Sequence, residues 1–330
     1  MRTLLTGATG FVGSHVLDRL AQEGASVRIL IRAASSTRWI APHLGSVEVV
    51  QGSLDDPRSL DRAVAGDVDC VIHCAGAIKA LRPEELDRVN RDGTRRLVEA
   101  ANRRGGRIRR FLYLSSLAAG RPGTPENPAD ETAPPAPVSC YGRSKLAGEE
   151  EVKARWRGEW TILRPAAVYG PRDREFLPVF RAARRGFCPA VGDPRRALSL
   201  VWVEDLARCV AAAAESPEAA GETINVASPE IVRFGQIPHA AARALGRQCV
   251  VPLRTPALCF RAICRVAALW ARLRGKPTVL AHGKDREVLA PGWVANTTRL
   301  RRLFGEGICA TKLADGFRRT ARWYAEAGWI

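Results

Sequence analysis

RTLLTG, Arg2 to Gly7, reads as a short buried strand, and FVGSHVLDRLAQEG carries helical periodicity that stops at Gly24. The turn between them, TGATGFVG, constrains the fold more than any other stretch. Three glycines are required there for different reasons. Gly7 permits the tight turn, Gly10 lets backbone N–H groups approach a pyrophosphate, and Gly13 lets the helix pack closely on the strand. A bare glycine triplet says little, but one placed between a strand and a helix predicts a dinucleotide site.

SVRILIR predicts a second strand ending at Arg32. Sites that prefer NAD usually place a carboxylate here to accept from the ribose 2′-OH. A guanidinium at Arg32 attracts a 2′-phosphate instead, so NADP is the expected cofactor and NAD the alternative. VEVVQGSLDD, DCVIHCAGA and IRRFLYLSS are three further apolar strands, separated by helical stretches of which PEELDRVNRDGTRRLVEAANRRG is the clearest. Such alternation predicts an α/β fold, a Rossmann-type doubly wound parallel sheet with its ligand beyond the carboxyl ends of the strands. Ser115 and Ser116 end one of those strands.

In YGRSKLAGEEEVKARW, Tyr141 and Lys145 stand four apart at the start of a helix and share one face. A phenol of ordinary pKa near 10 is no base at neutral pH, and a nearby ammonium favours its ionised form. Lys145 is therefore expected to draw the Tyr141 pKa down. Ser116 would hold a substrate oxygen while Tyr141 exchanges its proton.

These features together resemble the extended short-chain dehydrogenase/reductases, the NAD-dependent epimerase/dehydratase family. TGATGFVG, the CAG after the fourth strand, Asn90 in VNRDGT, the LSS ending at Ser116, YGRSK, and LRPAAVYGP with Arg164, Pro165 and Gly170 follow that family's order and spacing. The resemblance runs from Met1 to about Ser228 and more weakly to the WYAEAGW ending. It implies a cofactor held by Gly7, Thr9, Gly10, Phe11, Val12 and Gly13, with Arg32, Ser53 and Leu54 toward the adenosine half. Ala75, Gly76 and Ser115 would line the crevice, Lys145 would bond the nicotinamide ribose beside Tyr141, and Pro165 to Val168 would hold the carboxamide. Asn90 would support a proton relay through water. Two departures stand out. Ser53 occupies the place where many members carry an Asp that contacts adenine, and Ile31-Arg32 replaces the NAD-type acid. Residues 1–170 are expected to form the cofactor domain. Residues 171–330 would form a smaller, mostly helical substrate lobe and cap, with 195–230 returning to the core. The resemblance extends to a homodimer packed through helices of the Tyr141 type.

The net charge of +17 comes from an arginine-rich chain, and the last 80 residues supply about +10 of it, 15 basic against 5 acidic. No nucleic-acid module or aromatic-basic interleaving accompanies that charge, so nucleic acid is not an expected partner. The nine cysteines lack zinc or disulfide spacing, and Cys70, His73 and Cys74 on one strand read as core residues, so no metal is expected. With no signal-peptide pattern and no uncharged apolar run of 18, a cytoplasmic protein is expected.

FRAICRVAALWAR, within the apolar segment 257–274, sets Arg261, Arg265 and Arg272 within about 40° of one another on a helix. It suits a core helix, a lid, or a peripheral membrane contact with arginines toward anionic headgroups. Arg196 is a candidate sugar-diphosphate clamp, or else Arg195 and Arg196 are solvated turn residues. No full set of nucleotide-sugar contacts is present. Three readings result. The first is an oxidoreductase of a lipophilic hydroxyl or ketone, sterol-like or another polycyclic or polyprenyl lipid, similar in character to 3β-hydroxysteroid dehydrogenases and flavonoid-type ketone reductases. The second is a nucleotide-sugar epimerase or dehydratase, and the third a silent NADP-sensing protein. His282 lies far along the chain from the serine-tyrosine pair and reads as incidental.

Overall fold

The computed structural model describes residues 1–248 and 250–330. Its first half alternates strand and helix: β1 (Arg2–Thr6), α1 (Phe11–Gln22), β2 (Ser26–Ile31), β3 (Glu48–Gln51), α2 (Pro57–Ala63), β4 (Cys70–His73), α3 (Pro83–Asp87) and α4 (Gly93–Asn102). There follow β5 (Arg110–Leu114), α5 (Cys140–Arg155), β6 (Glu159–Pro165) and β7 (Ala167–Tyr169). Next come α6 (Leu177–Arg184), β8 (Phe187–Val191), β9 (Ala197–Trp202), α7 (Val203–Glu215), β10 (Glu222–Val226), β11 (Ile231–Arg233), α8 (Gln236–Ala244) and β12 (Val251–Thr255). The chain closes with α9 (Ala257–Arg274), α10 (Lys284–Val288), α11 (Thr298–Phe304) and α12 (Leu313–Glu326).

Seven strands form one sheet in the order β3-β2-β1-β4-β5-β6-β10, and every pairing is parallel. The direction of winding reverses between β1 and β4, where the connections leave toward opposite faces and open a crevice at the carboxyl ends. Both faces are covered, which is why the central strands read as continuous apolar runs rather than alternating ones. Adjacent residues of β1 show it. Leu5 packs with Leu17 of α1 and Leu206 of α7, while Leu4 packs with Leu60 of α2, Val98 of α4 and Val152 of α5 on the other side.

A second core belongs to the carboxyl-terminal half, where Tyr169, Phe180, Trp202, Phe317 and Tyr324 interlock. Besides helices this half contains two short sheets, β11-β9-β7 and β12-β8. The chain nevertheless returns to the main sheet through β10, and α7 packs against α1.

One detail differs from the sequence expectation. The long helical stretch after Pro83 is not uniform: Arg88–Asp92 forms a wider π-helical turn between α3 and α4. Asn90 lies inside it, and such turns often sit at functional sites. His73, between two cysteines, has both ring nitrogens occupied, Nδ1 by the Thr6 hydroxyl at 2.7 Å and Nε2 by the Thr94 hydroxyl at 3.0 Å. Burial pushes its pKa down to about 3 and that of the Cys74 thiol up to about 12, so both are neutral groups of the sheet.

Candidate active site

The glycine turn is built by close approach. Gly7 has φ +76°, and a Cβ there would lie 2.6 Å from the backbone nitrogen of Ala75 on the neighbouring strand's extension. At Gly13 a Cβ would sit 2.1 Å from the Gly7 carbonyl oxygen, so α1 meets β1 only because that residue has none. Gly10 is exposed and begins α1 without a side-chain cap. The first-turn N–H groups of a helix lack internal acceptors, and these face an open cradle at the positive end of the dipole. No acidic side chain occupies the first turn of α1. The cradle therefore fits a pyrophosphate. Thr9, Phe11 and Val12 line it half-buried.

Around the cradle, Arg32 is exposed just beyond β2. The Ser53 hydroxyl accepts from the Asp55 N–H at 3.2 Å, and its carbonyl accepts from the Ser59 hydroxyl at 3.2 Å, so it is used in local turns. Leu54 packs against Gly93, where an added Cβ would lie 3.0 Å from it. Gly76, at the mouth of the crevice, has room for a Cβ only 3.1 Å from Asn90 and 3.6 Å from the Lys145 ammonium. Asn90 is buried and fully engaged. Its amide donates to the Ala77 carbonyl and the Ser144 hydroxyl, both at 2.9 Å, and its oxygen accepts from the Ala77 N–H at 2.8 Å. It thus fixes the loop after β4 to α5. Pro165 is buried at the end of β6, and Val168 is half-buried in β7 beside Val201.

Ser139 caps α5 by accepting from the Gly142 N–H at 3.0 Å, which sets Tyr141 in the first turn at the sheet's carboxyl edge. Ser116 accepts from the Ala118 N–H at 3.2 Å, leaving its own hydrogen free to donate. The expectation that Lys145 lowers the Tyr141 pKa needs correction. Burial outweighs the Ser116 hydrogen bond and pushes the phenol up to about 12. Lys145 instead donates to the Leu114 carbonyl at 2.6 Å, with its ammonium 4.2 Å above the Tyr113 ring. Desolvation brings Lys145 down to about 8, against the pull of the Glu149 carboxylate. Below about pH 8 Lys145 keeps its charge while Tyr141 keeps its proton.

One group that the sequence reading passed over organises the rest. Glu149, fully buried one turn beyond Lys145, accepts from Arg164 Nε at 2.8 Å and Nη2 at 2.6 Å, and from the Ser115 hydroxyl at 2.5 Å. Tyr141, Lys145 and Glu149 recur every four residues on one helix face, and that spacing is the signal that could have found it. A strap from the carboxyl-terminal half closes the edge. The His282 carbonyl accepts from the Cys140 N–H at 3.0 Å, and its ring reaches the Ala80 carbonyl at 3.0 Å. His282 is held there at φ +56°, so it is structural at the site's rim rather than distant from it. Arg196 is neither a free clamp nor solvated: it donates to the carbonyls of Val191, Asp193, Val288 and Ala290 and lies over the Phe234 ring. Arg195, by contrast, is an exposed turn residue paired with Asp193. A cavity of about 670 Å³ lies among Pro194, Arg233, His239 and Arg318, sharing no lining residue with this site.

A glycine turn that fits a pyrophosphate, on a doubly wound sheet that also carries half-buried Ser116 and Tyr141 and buried Lys145, is the arrangement a nicotinamide-dependent oxidoreductase would use. A sequence profile of the NAD dependent epimerase/dehydratase family matches residues 3–227, and the chain belongs to that family. It is an NAD(P)-dependent oxidoreductase. The chain is 34% identical to "Ceramide reductase" of Caulobacter vibrioides over 99% of its length and 95% of that protein's. It is 34% identical to "Sterol demethylase protein B" of Methylococcus capsulatus over 63% of its length and 66% of that protein's. The UDP-glucose 4-epimerase of Thermus thermophilus, solved in complex with NAD, shares its fold with a TM-score of 0.78 at 23% identity, covering 99% of this chain and 100% of that one.

Removing one partner of a buried ion pair leaves the other charge uncompensated, at a cost of about 3–5 kcal/mol. Arg164→Met is therefore expected to lose stability of that order in urea unfolding, and Glu149→Leu with Arg164→Met to recover most of it. Equal stability of Arg164→Met and the unaltered protein would contradict the role given to the pair.

Proposed function

We propose that this chain is an NADPH-dependent reductase that converts a ketone on a long-chain or polycyclic lipid, of the ceramide or sterol class, into a secondary alcohol. The observation that carries the reading is the likeness to a ceramide reductase along nearly the full length of both chains, and the site agrees with it: Tyr141, which desolvation keeps protonated, stands in the first turn of α5. A phenol in that state is prepared to give a proton, as reduction of a ketone requires. The lipid class is supported by the full-length likeness to a ceramide reductase and the partial likeness to a sterol-processing protein. Arg196, committed to four backbone carbonyls, is not available as the diphosphate clamp that the nucleotide-sugar reading invoked.

The glycine turn and α1 would hold the pyrophosphate, Arg32 the 2′-phosphate, and Lys145 the nicotinamide ribose. Reduced nicotinamide, when bound, supplies the hydride. Ser116 donates to the carbonyl oxygen and polarises it. Tyr141 passes its proton to that oxygen as the carbinol forms. A solvent proton then restores the phenol, while Lys145, bonded to the Leu114 carbonyl, would stay with the ribose.

Two outcomes are expected. The kcat/KM for ketone reduction should fall as pH rises through about 8, where the Lys145 ammonium is lost. Tyr141→Phe should abolish turnover with the cofactor still bound, and Lys145→Arg, which stays charged, should carry the falling limb well above pH 8. An unshifted limb in Lys145→Arg would contradict the role of Lys145. For the cofactor, Arg32→Asp should lower the ratio of NADPH to NADH affinity by about tenfold or more, read by fluorescence titration; an unchanged ratio would remove Arg32 from the 2′-phosphate site.

A further inference from the structure

Helix α9 is packed on only part of its circumference. Phe260, Cys264 and Ala271 are buried against the body of the protein, while Leu258 is 75% exposed and Leu273 74%, with Ile263, Val266, Leu269 and Trp270 each about half exposed. At 100° per residue these six outward apolar residues fill a continuous arc of about 140°. Arg261, Arg265 and Arg272 border one side of that arc, all exposed. On the other side Arg274 stacks 4.5 Å above the Trp270 ring. The apolar surface continues onto β12, where Val251 and Leu253 are also exposed. Isolated exposed apolar residues are ordinary, but eight on one continuous segment are not.

We infer that this face docks the enzyme peripherally on an anionic lipid bilayer, with the apolar arc in the interfacial hydrocarbon and the arginines at headgroup phosphates. The charge pattern selects this occupant. From Val251 to Lys284 the chain carries seven basic residues and no Asp or Glu. A second copy of the chain would bring like charges together around the apolar arc, and nucleic acid would leave that arc in water. A bilayer surface meets both halves of the pattern. No helix among the described residues is long and apolar enough to cross a membrane, so the contact lies in the interface plane.

The location gives the contact a purpose, one that rests on the lipid-reductase reading above. α10 packs against α9, and the strap that carries α10 reaches Cys140 next to Tyr141 through the His282 carbonyl at 3.0 Å. A docked α9 sets the rim of the active site at the membrane surface, where a lipid ketone resides.

The test uses the full chain and sedimentation with phosphatidylcholine vesicles containing one quarter phosphatidylglycerol, at physiological salt and without substrate. Most of the protein should sediment, and binding should drop several-fold with phosphatidylcholine alone. Val266→Glu with Leu273→Glu, both at exposed positions, should weaken partition at least about tenfold at unchanged thermal stability. Arg261→Glu with Arg265→Glu should remove the preference for the anionic lipid. Protein that stays in the supernatant, variants that bind as well as the unaltered chain, or a dimer that Val266→Glu with Leu273→Glu splits while vesicles go unbound would each overturn the proposal. Turnover of lipid ketones in detergent micelles without vesicle binding would sink the docking alone. Vesicle binding without any such turnover would sink only the substrate class.

Discussion

Glu149 and Arg164 bury opposite charges between α5 and β6, and the geometry of the site follows from where that pair is fixed. Two parallel N–H···O bonds set the rotation of α5 about its axis and its height along the sheet. The same carboxylate takes the Ser115 hydroxyl, so β5, β6 and α5 are locked at a single point. Lys145 one turn earlier and Tyr141 two turns earlier inherit their positions from it. A hydrophobic contact of similar volume would stabilise the fold as well, yet would not fix rotation as two directed bonds do.

The same pair explains the charge states. Lys145 is held in a desolvated pocket under the Leu114 carbonyl and over the Tyr113 ring, and the negative charge of Glu149 is what keeps its pKa from falling further. Tyr141 has no such neighbour. Its burial, reinforced by Glu287 from the strap, keeps the phenol protonated. Proton donor and cation therefore coexist at neutral pH. Above about pH 8, loss of the Lys145 charge relieves its desolvation cost, so this residue's contribution to stability improves just where its chemical role is lost.

Much of this was legible from residue order. The strand-turn-helix at Gly7, the apolar runs that became β1, β2, β4 and β5, and the Ser116, Tyr141, Lys145 group all follow from local spacing. Local spacing failed where the outcome depended on the third dimension. Tyr141 and Lys145 share a helix face, but nothing in that spacing says that the ammonium would bond the Leu114 carbonyl and leave burial to govern the phenol. Arg196 looked solvated or ligand-seeking because its four carbonyl partners come from segments up to 94 positions away. His282 looked remote for the same reason. For 257–274 the periodicity was visible, while the choice of buried face required the structure: the arginines border the exposed apolar arc instead of opposing it.

Hydride addition to a lipid carbonyl, with the proton drawn from Tyr141, is the step we propose, and isotope transfer measures it most directly. The protein is incubated with an oxo-lipid of the ceramide class and NADPH deuterated at nicotinamide C4, separately on each face, and the product is read by mass spectrometry. One deuterium is predicted at the new carbinol carbon from one face only, with stoichiometric NADP. Retention of the cofactor without net oxidation, or an alcohol free of deuterium from both faces, would contradict that step.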